Sequence, residues 1–156
     1  MNIADIISPE RVQFQASLHS KKRALEEISR LLAIGAPALA QEDILGSLSS
    51  REKLGSTGLG GGVAIPHGRV RGIENSVGAF LRIGGEGVDY EANDNQKVDL
   101  VFGLLVPQNC NEEHLKILAQ LAEMFLDEGF CAKARATNDP RQLHALLVSY
   151  APAAAA

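Results

Sequence analysis

Val98-Asp99-Leu100-Val101-Phe102-Gly103-Leu104-Leu105-Val106-Pro107 is an almost unbroken apolar run closed by a proline. A strand with one face in water alternates polar and apolar residues, whereas a run without alternation needs cover on both faces. The stretch therefore predicts a central strand from Val98 to Val106. Pro107 ends it, because proline brings no N–H to a ladder. Upstream, Val77 to Ile83 is apolar at 77, 79, 81 and 83 and predicts a half-buried strand. Gly84-Gly85-Glu86-Gly87 then turns the chain.

The cover must come from helices. Ser20 can cap a helix that begins at Lys21, with Ala24, Leu25, Ile28, Leu31 and Leu32 on one stripe and Gly35 as its stop. A second helix is expected from Gln41 to about Lys53, burying Ile44, Leu45 and Leu48 before Gly55. A third is expected from about Asn111 to Asp127, with a core stripe of His114, Leu115, Leu118, Leu121, Ala122 and Phe125. The last begins with Asp139 as cap and Pro140 at its first position, and turns Leu143, Leu146 and Leu147 inward. Strands and helices mixed in this order imply an α/β sandwich, a single sheet of four or five strands between helices. Periodicity leaves parallel or antiparallel pairing open. One domain over residues 1–150 is expected, and Ala151 to Ala156 reads as a frayed tail.

Composition narrows the function. Lys and Arg total 15 against 19 Asp and Glu, a formal charge of −4, and aromatic residues make up 4% with no Trp. An acidic chain without a basic block or stacking residues argues against nucleic-acid binding. No run of about 18 apolar residues exists to embed in a membrane, and the N-terminus lacks the pattern of a signal peptide. Cys110 and Cys131 form no CxxC, so a disulfide scaffold or cysteine zinc site is not expected and a reducing cytoplasm is the default location.

Six of the 15 glycines (55, 58, 60, 61, 62 and 68) fall in Gly55-Ser-Thr-Gly-Leu-Gly-Gly-Gly-Val-Ala-Ile-Pro-His-Gly-Arg69. The stretch reads as a loop leading into a short strand, Val63 to Ile65. Bare backbone N–H groups can approach an anion, but neither GxxxxGK[ST] nor GxGxxG is present, which disfavours nucleotide binding. His67 remains, set between Pro66 and Gly68 at the end of the short strand so that its imidazole is presented at a surface. A histidine is poised near neutral pH and is nucleophilic when unprotonated. A lone Pro-His-Gly more often marks a turn histidine without chemistry. Arg51 just upstream can hold a phosphoryl group in bidentate fashion, and Ser56, Thr57 and the loop N–H groups around Gly68 can add donors. Each has a duller reading, as a solvated helix-end charge or as turn formers. His114, on an apolar stripe, has the alternative of a satisfied core histidine. His19 and His144 are expected to be structural or solvated. No HExxH or ligand-spaced partner for His67 suggests a metal, and no GxSxG suggests a serine hydrolase.

Arg51-Glu52-x-x-Gly55-Ser56-Thr57-Gly58, followed by Gly62-Val63-Ala64-Ile65-Pro66-His67-Gly68-Arg69, resembles the enzyme IIA domain of the bacterial phosphotransferase system, of the type shared by mannitol, fructose and nitrogen-regulatory members. The resemblance continues through Val98 to Pro107 and Glu113-His114-Leu115-Lys116-Ile117-Leu118-Ala119. It implies that His67 accepts a phosphoryl group, through Nε2, from a histidine-containing phosphocarrier protein. It also matches His114 to the family's second active-site histidine and Arg51 to its signature arginine. No cofactor or metal is implied, because the donor is itself a phosphohistidine.

Tyr90-Glu91-Ala92-x-Asp94-Asn95-Gln96-x-Val98-Asp99-Leu100 looks like the nitrogen-regulatory type, which implies a phosphorylation-dependent regulator of nitrogen and potassium physiology, with potassium transport or sensor proteins as targets. The alternative is a free-standing sugar-specific IIA passing phosphate to a IIB domain of a fructose- or mannitol-type permease. A module whose loop merely docks a partner would leave the joint presence of Arg51, His67 and His114 unexplained. Arg51, Ser56, His67 and His114 are expected to converge on one pocket.

Overall fold

All eight residues of the strand Leu100–Pro107 are buried, and the rest of the chain is arranged around it. The computed structural model describes residues 2–110 and 112–150. In chain order the elements begin with α1 (Ile3–Ile6), a 3-10 turn (Pro9–Arg11) and β1 (Val12–Gln15). Two helices follow, α2 (Lys21–Gly35) and α3 (Gln41–Lys53), then the short strands β2 (Gly58–Gly60), β3 (Val63–Ala64) and β4 (His67–Val70). The chain closes with β5 (Val77–Ile83), β6 (Leu100–Pro107), α4 (Glu112–Leu126), α5 (Glu128–Arg135) and α6 (Pro140–Val148).

The strands form one mixed sheet with β6 at its centre. Strand β5 runs antiparallel to it, Phe80 opposite Phe102, and β1 is parallel to the far side of β5. The other edge of β6 is shared. Its start pairs with β3 (Val63 with Leu100) and its end with β4 (His67 with Leu104), both parallel. Pro66 separates the two short strands: it has no N–H to donate, yet its carbonyl accepts from Leu104 N at 3.0 Å. The β2–β3 hairpin completes that edge.

Helices cover both faces, as the apolar run required. Leu100, Phe102, Leu104 and Val106 face α1, α4, α5 and α6 through Ile6, Ile117, Leu121, Phe125 and Leu143. Phe80, Phe102, Phe125, Phe130 and Tyr150 run through this layer with successive ring centroids 5.4–6.4 Å apart. Val101 and Leu105 face α2 and α3 through Leu25, Ile28, Leu32, Ile44 and Leu48. Truncating a side chain at this centre, Phe102→Ala for instance, would cost about 3–5 kcal/mol.

Several expectations need correcting. The sheet has six strands, because β1, β2 and β4 carry too few alternating residues to stand out. His67 does not end the short strand; it opens β4. Strand β5 is buried on both faces, since Gly78 and Phe80 pack under α1 and α4 while Ala79 and Leu81 pack under α2. On α4 the buried positions are His114, Ile117, Leu121, Met124 and Phe125, whereas Leu115 is exposed and Leu118 and Ala122 are half-buried. Leu45 and Leu146 are likewise half-buried. The expected start of the third helix at Asn111 and the expected tail at 151–156 lie outside the described residues.

Candidate functional site

Cross-strand partners point to the same face of a sheet. His67 pairs with Leu104, so its side chain lies on the α4 face, at the open edge of β4. Its neighbour Gly68 pairs with Leu105 and faces α3. A Cβ at Gly68 would strike the Ser47 hydroxyl and lie 3.1 Å from Ser47 Cβ, so only glycine lets β4 sit this close to the helix. Ser47 also donates its hydroxyl to the Arg69 carbonyl at 3.2 Å.

The close approach leaves a cavity of about 420 Å³ that spans the sheet edge. Ser47, Ser50, Arg51 and Leu54 line it from α3 and its C-terminal end, His67, Gly68 and Arg69 from β4, and Leu115 and Leu118 from α4. Arg51 and His67, 16 positions apart in sequence (67 − 51), thus share one wall-to-wall space. Leu54 and Leu115 are strongly exposed at its rim, 85% and 48%.

The His67 ring is held by its own strand: Nδ1 lies 2.8 Å from the Ile65 carbonyl. A carbonyl only accepts, so Nδ1 carries the hydrogen, and in the neutral ring the lone pair is on Nε2. Arg51 lines the same cavity from α3. It sits in the last turn of α3, where the helix carbonyls favour a cation, and donates from Nη1 to the Gly55 carbonyl at 2.9 Å.

His114 lies on the same sheet face as His67, in the first turn of α4. It is buried, its Nδ1 hydrogen-bonded to Ser76 Oγ at 2.7 Å, and it is not among the residues lining the cavity. Leu118, one helical turn on, is. Ser56 and Thr57 do not line the cavity either. Ser56 Oγ accepts from Gly58 N at 3.1 Å. The Thr57 hydroxyl is turned inward, donating to the Glu52 carboxylate and lying 3.1 Å from the Tyr90 hydroxyl. The structure therefore brings Arg51, His67 and Gly68 together, leaves the buried His114 out of the cavity lining, and turns the Ser56 and Thr57 hydroxyls to structural partners. Of the other histidines, His19 is exposed and His144 half-buried.

The glycines of the loop serve the backbone turn and, at Gly62, close packing. Gly60, Gly61 and Gly62 all have positive φ. Arg135 pairs with Asp99 at 2.8 Å and donates to the Gly61 carbonyl at 2.7 Å, passing so near Gly62 that a Cβ there would lie 2.6 Å from its Nη2. Asp94 accepts from Gly61 N at 3.0 Å, and that bond, after one from Gln96 N, holds its carboxyl below the usual range. Sequence reasoning missed Ser76 and Tyr90 as partners of site residues because they come from distant stretches, and Glu52 because nothing local shows that its carboxylate turns inward to Thr57. Among the described residues no three His, Cys, Asp or Glu side chains gather as a metal site, and no helix is long and apolar enough to cross a membrane.

Residues 5–150 match the family described as phosphoenolpyruvate-dependent sugar phosphotransferase system, EIIA 2. A nitrogen regulatory protein of Bradyrhizobium diazoefficiens is 39% identical over 158 aligned residues, covering all of both chains. Another, of Pseudomonas aeruginosa, is 43% identical over 124 residues and 80% of each chain. The crystal structure of nitrogen regulatory protein IIA-Ntr from Neisseria meningitidis superposes with a TM-score of 0.86 at 39% identity, over 93% of this chain and 98% of that one. The crystal structure of IIA mannitol from Escherichia coli shares the fold, with a TM-score of 0.72 at 24% identity over 90% and 98% of the two chains.

Proposed function

The chain belongs to the EIIA 2 family of the phosphotransferase system, whose members are phosphotransferases that work through a phosphohistidine intermediate, and we propose that His67 is the phosphorylated residue, at Nε2. One observation carries the reading. The Ile65 carbonyl occupies Nδ1–H at 2.8 Å and leaves Nε2 with the lone pair, on a ring that shares its cavity with Arg51.

The donor is a histidine-containing phosphocarrier protein. The Nε2 lone pair attacks phosphorus in line, and the P–N bond to the donor's imidazole breaks, its electron pair leaving with that ring. The new P–N bond brings positive charge onto the His67 ring, which the Ile65 carbonyl accepts through Nδ1–H. The Arg51 fork faces the equatorial oxygens, a bidentate match for their charge. The buried His114 orients and donates, and backbone N–H groups near Gly68, with Ser56 after rearrangement, complete the binding set, while the Thr57 hydroxyl stays on Glu52. Exposed Leu54 and Leu115 at the rim favour a protein as donor, since they offer apolar surface for it to cover.

We assign the chain a regulatory role in nitrogen and potassium metabolism, in the cytoplasm, with potassium transport or sensor proteins as targets. The whole-length similarity to nitrogen regulatory proteins supports the nitrogen-regulatory part of this role over a sugar-importing one.

Intact-mass measurement after incubation with phosphorylated carrier is the test. One acid-labile, base-stable phosphoryl group should appear, and His67→Ala should abolish it because the nucleophile is gone. Full uptake by His67→Ala, or an acid-stable label on the native chain, would overturn the assignment. Rapid onward transfer to the cysteine of a IIB domain would favour the sugar-specific reading.

A further inference from the structure

Glu52 follows Arg51 directly, and at 3.6 residues per turn neighbouring side chains leave a helix about 100° apart. Arg51 faces the cavity while Glu52 points into the protein, its side chain 5% exposed. Its carboxylate meets four donors. Oε1 accepts from Thr57 N at 3.1 Å and lies 2.9 Å from Lys21 Nζ. Oε2 accepts from the Thr57 hydroxyl and from Tyr90 OH, the latter at 3.1 Å. Lys21 in turn stands 4.5 Å over the Tyr90 ring. A buried carboxylate is tolerated only when it is satisfied in this way.

The network closes the turn between residues 52 and 57. Inside that turn is Gly55, whose carbonyl receives Arg51 Nη1. At its end is Thr57, whose carbonyl accepts from Ile65 N at 3.1 Å, and Ile65 supplies the acceptor for His67 Nδ1–H. Both contacts that aim the two cavity groups therefore hang on the turn that Glu52 ties.

We propose that Glu52 is a positioning residue for phosphoryl transfer: through Thr57 it fixes the Gly55 carbonyl that aims Arg51 and the Ile65 carbonyl that sets the tautomer of His67. The proposal rests on the reading of His67 and Arg51 as the phosphoryl site. Glu52 touches neither phosphate nor the reacting nitrogen. Its worth lies in geometry, where a displacement of about 1 Å can cost on the order of 100-fold in rate.

A double-mutant cycle on the full chain tests it, read as the rate of phosphoryl uptake from phosphorylated carrier. Glu52→Ala should slow uptake at least tenfold. In an Arg51→Ala background the same change should slow it less, because only its hold on the Ile65 carbonyl is left to lose. Glu52→Gln should recover much of the loss, since an amide keeps one acceptor for Thr57 N while the hydroxyls of Thr57 and Tyr90 can turn to accept. Equal losses in both backgrounds would overturn the proposal, as would a Glu52→Ala protein that melts early yet transfers at the native rate when folded. If Glu52→Ala does not fold, Tyr90→Phe, which removes one of the four donors, carries the same cycle with a smaller loss. A second measurement stands apart from transfer. In the NMR spectrum of the unphosphorylated chain, the Arg51 guanidinium and the His67 Nδ1–H should be sharp in the native protein and lost in Glu52→Ala. Their persistence there would sink the positioning role, whereas a failure of His67 to take phosphate with both signals intact would sink the site reading alone.

Discussion

Gly68 of β4 and Ser47 of α3 meet with no room for a Cβ between them. That contact draws the helix carrying Arg51 against the strand carrying His67, and so sets the width of the cavity. Gly68→Ala should overpack it, lowering stability by about 1–3 kcal/mol in urea unfolding. Adding Ser47→Ala, which removes the clashing hydroxyl, should restore part of the loss. A Gly68→Ala protein with native stability would show that α3 and β4 part without cost.

The Nδ1 bond to Ile65 predicts the isomer of the phosphorylated ring. Nitrogen-15 spectra of the phosphorylated protein should show phosphorus on Nε2 and a retained Nδ1–H. Phosphorus on Nδ1 would mean that the Ile65 contact breaks before transfer, and the tautomer argument would fall.

Arg51→Lys keeps the charge and loses the fork. A compact ammonium cannot hold two phosphoryl oxygens and the Gly55 carbonyl in one plane. The expected loss in transfer rate is on the order of 100-fold, about 3 kcal/mol, comparable to removing one oxyanion donor. Rapid-quench measurement of uptake decides it, and a loss below threefold would reduce Arg51 to a diffuse charge.

These arguments draw on features of unequal visibility in the chain. The caps were legible because they are local: Ser20 accepts from Arg23 N, and Asp139 with Pro140 opens α6. The unbroken run of β6 announced burial on both faces, as found. On α4, however, apolar residues lie nearly all round, so the stripe through Leu115 and Ala122 fits the pattern as well as the one through Ile117 and Met124 that is buried. In strand β5 the apolar residues at 77, 79, 81 and 83 suggest one buried face, yet Arg82 is the only polar residue between them, and Gly78 and Phe80 make the second face a core face too. In the site, Pro-His-Gly and Arg51 stand out because unusual residues are adjacent. The inward turn of Thr57, the Ser76 bond to His114 and the Tyr90 contact with Glu52 join residues 33 to 38 positions apart, and no local periodicity marks such pairs.

Tyr90 offers a prediction in pH. Burial, and then the Glu52 charge beside it, raise its phenol well above the ordinary tyrosine value. Below about pH 10, where an unfolded tyrosine begins to ionise, the phenol is protonated in both states and adds no pH dependence. Above it the unfolded chain releases the proton while the folded chain holds it. The unfolded state then binds fewer protons, and stability falls as pH rises. The native protein should thus lose up to about 1.4 kcal/mol per pH unit from this one group on its alkaline limb. Tyr90→Phe starts lower at neutral pH, by roughly 1–3 kcal/mol for the donor taken from buried Glu52. It lacks that alkaline loss, so the stability gap between the two proteins should narrow above pH 10. Urea unfolding at a series of pH values measures the gap directly, and a gap that stays constant into the alkaline range would mean that the Tyr90 phenol ionises as readily folded as unfolded.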